Sequence, residues 1–155
     1  LVAPDATFSV GPTPPVSLRD YRERQIVLLV LYSLPGSRAR LVELAESYSV
    51  LQALSVEVLA VPTHRTAEAI RELGDAPPML FPVVTEGAPE IVETYRWLAT
   101  GPAPVHAELL IDRQGYLRAL STPSRGWRDR NALLVQVQRL HGEKTPPPLA
   151  SEHVH

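Results

Sequence analysis

The seven consecutive apolar residues Ile26-Val27-Leu28-Leu29-Val30-Leu31-Tyr32 constrain this chain more than any other feature. The run is β-prone and short, bounded by polar residues, and reads as a strand. A strand that is apolar at every position has both faces buried, so it belongs in the interior of a sheet covered on two sides. From Arg38 to Ala53 the residues Leu41, Leu44, Ala45, Tyr48 and Leu51 recur at helical spacing and form one apolar stripe. A second β-prone run, Val56 to Val61, follows and is halted by Pro62. Strand, helix and strand in close succession predict a crossover unit with its two strands parallel.

The remainder continues the alternation. Thr66 caps a short predicted helix over Ala67–Leu73 that Gly74 ends. Met79 to Val84 is interrupted by Pro82 and reads as an edge strand or a loop. Pro89 suits the first turn of a helix running to about Leu98, with Ile91, Val92 and Tyr95 facing inward. Ala107–Ile111 and Tyr116–Leu120 flank Asp112-Arg113-Gln114-Gly115, a hairpin signature in which Gly115 is free to take positive φ. A last helix, from Asp129 or Arg130 to His141, puts Leu133, Leu134, Val137 and Leu140 on one face. A central mixed β-sheet flanked by helices on both faces satisfies this order, an α/β architecture.

Prolines punctuate both ends. Residues 1–15 carry Pro4, Pro12, Pro14 and Pro15 and read as an extended lead-in with a short strand at Thr7–Val10. Ser17 caps a brief helix over Leu18–Glu23, and residues 16–141 form the domain. Residues 142–155, with Pro146-Pro147-Pro148 and little apolar content, read as a disordered tail. The chain opens on Leu1 with no signal-peptide pattern and reads as a piece of something longer.

Composition then removes whole classes of function. With 155 residues, 45% hydrophobic and 21% charged, the chain fits one globular domain. A formal net charge of −2 gives no broad basic field, which argues against nucleic acid as a partner. No apolar run approaches the ~20 residues that a membrane-spanning helix needs. Cysteine is absent, which excludes disulfides, thiolate metal sites and thiol redox chemistry within the chain.

Taken in order, these motifs resemble the thioredoxin-like superfamily, on the branch shared by peroxiredoxins and membrane-associated thiol–disulfide reductases. Val16-Ser17-Leu18-Arg19-Asp20-Tyr21 resembles the segment before the first core strand there. Ile26–Tyr32 with the Arg38 helix resembles the strand, active-site turn and helix. Phe81-Pro82-Val83-Val84-Thr85 with Ile91–Tyr95 and the hairpin at Leu109–Gly115 complete the likeness. It covers roughly Asp5 to His141 and implies a thioredoxin-like fold.

The departures from that pattern bear on function. The resemblance puts Leu34-Pro35-Gly36-Ser37 where Cys-x-x-Cys belongs, followed by Arg38. Leu34 forms no thiolate, and the pKa of the Ser37 hydroxyl is far too high for exchange chemistry. His106 falls where thioredoxins place a cis-proline and peroxiredoxins an arginine; Pro104 reaches that place only with a register shift. The resemblance therefore implies a degenerate redoxin: a non-catalytic binding or scaffolding module without oxidoreductase activity, for an unknown protein or small ligand. Tyr32–Arg38 and Pro104–Leu109 further resemble cysteine-free redoxin modules attached to CopD-type copper-resistance membrane proteins. That likeness implies an extracytoplasmic, periplasmic setting, a membrane tether outside this chain and an association with copper handling.

The residues suggest other chemistry too. Pro35-Gly36-Ser37 at a helix N-terminus is a generic anion site that Arg38 and Arg40 would strengthen. Against this, Ser37 as a plain N-cap with solvated arginines explains the same residues. His106 and Glu108 are two apart on a predicted strand and share a face. Near Ser37 they would form a polar cluster, with Ser37 as nucleophile and His106 as base of a weak hydrolase; a structural histidine is the simpler alternative. A metal-binding reading, with copper held by His153 and His155 and by His141, competes with an ordinary solvated tail. His64 reads as a loop residue and Met79, the single methionine, argues against a Met-rich copper site. Trp97 and Trp127 read as packing anchors, and Arg125, Arg128, Asp129 and Arg130 as a solvated helix start.

Overall fold

Residues 1–33, 36–63, 81–96, 106–122 and 130–143 are described in the computed structural model of the chain. In chain order they form β1 (Thr7–Val10), β2 (Val16–Ser17), a 3-10 turn (Leu18–Tyr21), β3 (Ile26–Tyr32) and α1 (Arg38–Ala53). Then follow β4 (Val56–Pro62), β5 (Val84–Glu86), α2 (Ala88–Arg96), β6 (Ala107–Ile111), β7 (Leu117–Ser121) and α3 (Arg130–Gly142).

The apolar run is β3, an inner strand of a mixed sheet ordered β4-β3-β6-β7. It pairs parallel with β4, Ile26 opposite Val56, and antiparallel with β6, Leu28 opposite Leu110 and Val30 opposite Glu108. Alternation along the strand explains why every position is apolar. Ile26, Leu28, Val30 and Tyr32 pack with Leu41, Leu44 and Leu51 of α1 and with Leu133, Val137 and Leu140 of α3. Val27, Leu29 and Leu31 pack on the other face with Ile91 and Tyr95 of α2 and with Phe8 and Leu18. Each of these large side chains stabilises the fold by about 1.5–3 kcal/mol on full burial, so β3 anchors both layers.

The central mixed sheet with helices on both faces is as the sequence predicts, and the opposite layer adds a second sheet to it. A second, three-stranded sheet, β2-β1-β5, lies beside α2. β1 is antiparallel to both neighbours, so the Pro-rich lead-in is part of the packed body, with Phe8 buried. Val83 bridges Ala60 of β4 in parallel, and β5 begins at the next residue. The expected helix at Ser17 is one 3-10 turn, with the Ser17 N–H donating to the Asp20 carboxylate at 2.9 Å. In the hairpin, Asp112 accepts from the Gln114 and Tyr116 N–H groups at 2.9 Å each and from Arg118 Nη1 at 3.0 Å. Gly115 takes φ 89°, as its place in the turn demands. The predicted helix at 67–73, Trp97 and Trp127 lie outside the described residues.

At the end of α1, Ser55 adopts φ 59°, a left-handed position that usually falls to glycine. Its carbonyl accepts from Ile26 and its N–H donates to Gln52, both at 2.9 Å, so backbone bonds hold the conformation. Ser55→Gly keeps both bonds and removes a strain of roughly 1–2 kcal/mol, against a chain-entropy cost of roughly 0.5–1 kcal/mol. A net gain of about 0.5–1 kcal/mol is expected, read as a higher urea midpoint at unchanged slope.

Candidate functional site

The junction between β3 and α1 is closed by two reciprocal bonds. Ser37 N–H donates to the Ser33 carbonyl at 2.8 Å, and Ser33 N–H donates to Ser37 Oγ at 2.9 Å. Ser37 is 1% exposed and sits at the N-cap position of α1 in αR conformation, without a side-chain capping bond. This corrects the plain N-cap expectation: the hydroxyl faces back into the protein rather than along the helix.

His106 immediately precedes β6, and Glu108 lies within it. His106 Nδ1 is 2.8 Å from Ser37 Oγ, and its Nε2 is 2.7 Å from Glu108 Oε2. Arg40, on the first turn of α1, closes the chain. Its Nε and Nη2 donate to the two oxygens of Glu108 at 2.7 and 2.8 Å, a two-pronged fork, and its Nη1 also reaches Glu43. The Glu108 side chain is only 3% exposed. Burial pulls the Arg40 pKa down, but hydrogen bonds and charge from Glu108 and Glu43 outweigh it, and the net shift is upward. Arg40 is thus a fixed cation.

These partners assign the protons. A carboxylate gripped by a guanidinium only accepts, so His106 carries its hydrogen on Nε2. Nδ1 is then a bare acceptor and the Ser37 hydroxyl donates to it. A lone pair of Ser37 Oγ remains for the Ser33 N–H. Beside this chain, Thr63 Oγ1 donates to the Tyr32 carbonyl at 3.0 Å and takes the Ser33 hydroxyl proton at 2.6 Å. Tyr32 Oη is buried and finds no hydrogen-bond partner among the described residues. Burial alone pushes that phenol up to about 12.

Of the residues singled out in the sequence, the fold brings together Ser37, His106 and Glu108. Gly36 and Arg38 are exposed at the same junction, while Leu34 and Pro35 lie outside the described residues. Arg40 corrects an expectation: it is committed to Glu108 rather than turned toward an incoming anion. Its place one helical turn beyond Ser37 was the only hint, because α1-to-β6 register is not written in the sequence. Among the other candidates, His141 Nδ1 accepts from Arg113 Nη2 at 2.9 Å near the end of α3. His64, Met79, His153 and His155 lie outside the described residues. Among the described residues no three histidine, aspartate or glutamate side chains are grouped to hold a metal.

Kinship is decided by residues 2–120, which match the AhpC/TSA family. The chain belongs to that family. Solved structures give the same architecture. A thiol:disulfide interchange protein of the thioredoxin family from Chlorobium tepidum TLS superposes with a TM-score of 0.75 at 12% identity, over 91% of this chain and 96% of that one. A thiol:disulfide interchange protein from Bacteroides sp. gives 0.68 at 19% identity, covering 99% and 95%. The mitochondrial 2-Cys peroxiredoxin from Plasmodium falciparum gives 0.72 at 16% identity, covering 94% and 98%. At such identities these likenesses speak for the fold, which is thioredoxin-like. No curated protein matches the chain. This AhpC/TSA member contains no cysteine, so it supplies no thiol for the chemistry those neighbours are named for. Among its described residues no helix is long and apolar enough to cross a membrane.

Proposed function

We propose that this AhpC/TSA member is a redoxin-fold binding or scaffolding module that turns over neither disulfides nor peroxides. One observation carries the reading: a part-buried hydroxyl–imidazole–carboxylate–guanidinium chain occupies the strand-to-helix junction where the family resemblance places redox sulfur. Exchange chemistry needs a sulfur nucleophile and a sulfur leaving group, and a serine hydroxyl is neither. The chain also bolts α1 to β6, which fixes the surrounding surface. Gly36, Arg38 and Ala39 are exposed there and form the face offered to a protein or small-ligand partner. The likeness of residues 32–38 and 104–109 to CopD-attached modules extends the proposal to an extracytoplasmic domain beside a copper-handling membrane protein.

The direct test is catalytic. With dithiothreitol as reductant, the pure chain is expected to leave insulin precipitation and hydrogen peroxide consumption at the rates of buffer alone. Reproducible turnover of either substrate above that background would overturn the proposal.

A further inference from the structure

We propose that Ser37 is an acyl acceptor, able to take an acyl or phosphonyl group from a small activated ester. The proposal goes beyond the binding reading and does not rest on it. Three groups stand in the connectivity of an activated nucleophile: hydroxyl to imidazole at 2.8 Å, imidazole to carboxylate at 2.7 Å. The proton assignment leaves His106 Nδ1 bare and aimed at the Ser37 hydroxyl, the state a general base requires. Glu108 stabilises the imidazolium that forms, and the Arg40 fork holds Glu108 in place as a positioning residue. Ser37 also starts a 16-residue helix whose first-turn amides lack acceptors within the helix. The N-terminus of α1 places a positive dipole end near Ser37.

With p-nitrophenyl acetate the step balances as follows. Ser37 Oγ bonds to the carbonyl carbon while His106 Nδ1 takes the hydroxyl proton. The carbon–oxygen bond to the aryl group breaks, and p-nitrophenolate leaves with the bonding pair. The imidazolium returns its proton to solvent, leaving Ser37 as its acetyl ester. Ser37 itself is 1% exposed whereas Gly36 and Arg38 beside it are exposed, so the reagent must be small. Small acyl groups are favoured, and the reaction is slow.

The experiment incubates the full chain with p-nitrophenyl acetate or an alkyl fluorophosphonate, followed by intact mass and peptide mapping. One adduct on Ser37 is expected, absent in Ser37→Ala, retained in Ser49→Ala and slowed about 100-fold or more in His106→Gln. No adduct after prolonged incubation, or an adduct mapped only to the Leu1 amine, Lys144 or a tyrosine, overturns the proposal. So does labelling of folded His106→Gln at the unsubstituted rate. Mapping on the unsubstituted chain decides the matter even where a variant does not fold.

Discussion

Glu108→Gln is expected to lower the unfolding free energy by about 3 kcal/mol, the lower end of the cost of orphaning one partner of a buried ion pair. The carboxylate accepts two bonds from Arg40 and one from His106, and its side chain is almost wholly removed from water. The amide of Gln keeps the shape but carries no charge, and its NH2 faces donors on Arg40 or His106. Glu43 still pairs with Arg40, and because it is partly solvated it offsets part of the loss. At roughly 2–4 °C per kcal/mol for a chain of this size, the melting temperature falls by roughly 6–12 °C. The double variant Arg40→Met with Glu108→Met separates charge from packing. Removing both charges leaves no orphaned cation, so its loss is expected to be smaller than the sum of the two single losses. Additive losses, or a Glu108→Gln shift under about 1 kcal/mol, would mean that the pair is solvated and does not bolt α1 to β6.

The parts of this fold legible in the sequence are those whose signal is local. β3 declares itself because burial on two faces leaves no polar position, and Asp112 with Gly115 specifies its hairpin within a few residues. The second sheet is another matter. β5 has three residues, only Val84 of them buried, too few for any periodicity to register. β1 was readable as a strand, but its partner lies far along the chain, and nothing at Thr7–Val10 names Val84–Glu86. The site divides in the same way. Ser37 and His106 follow from register against the family, and Glu108 from the two-residue period of a strand. The Arg40–Glu108 fork joins residues 68 apart in sequence across two elements, and only the packing of α1 on the sheet sets that contact. The orientation of the Ser37 hydroxyl is likewise set by tertiary partners, which outcompete the local capping preference.

Gly87→Ala is expected to be the most damaging small substitution outside the site, because β1 and α2 both depend on that residue having no side chain. Gly87 links β5 to α2 at φ 90°, and its carbonyl accepts the Ile91 N–H at 3.2 Å in the first turn of the helix. A methyl group there would lie 2.6 Å from the Thr7 carbonyl oxygen and 3.1 Å from Phe8 Cα. Both obstacles are backbone, so no rotamer change relieves the clash. The left-handed strain costs roughly 1–2 kcal/mol and overpacking roughly 1–3 kcal/mol, giving a loss of about 2–5 kcal/mol. The damage should be local in its first stage. As β1 is pushed from β5, Phe8 loses its buried place against Leu29 and Leu31, and exchange protection drops at Ser9, Val10 and the start of α2. The Arg40–Glu108 fork, beside Val30 on the other face of the sheet, keeps α1 on β6 under native conditions, so amide protection in both persists. Gly142 serves as the control: it has negative φ and open space at its Cβ, so Gly142→Ala should change stability by less than about 0.5 kcal/mol. Equal, small effects at the two glycines in urea titrations would show that β1 is not held against the start of α2. A loss at Gly87 spread evenly over every strand would instead show that the two sheets unfold as one unit.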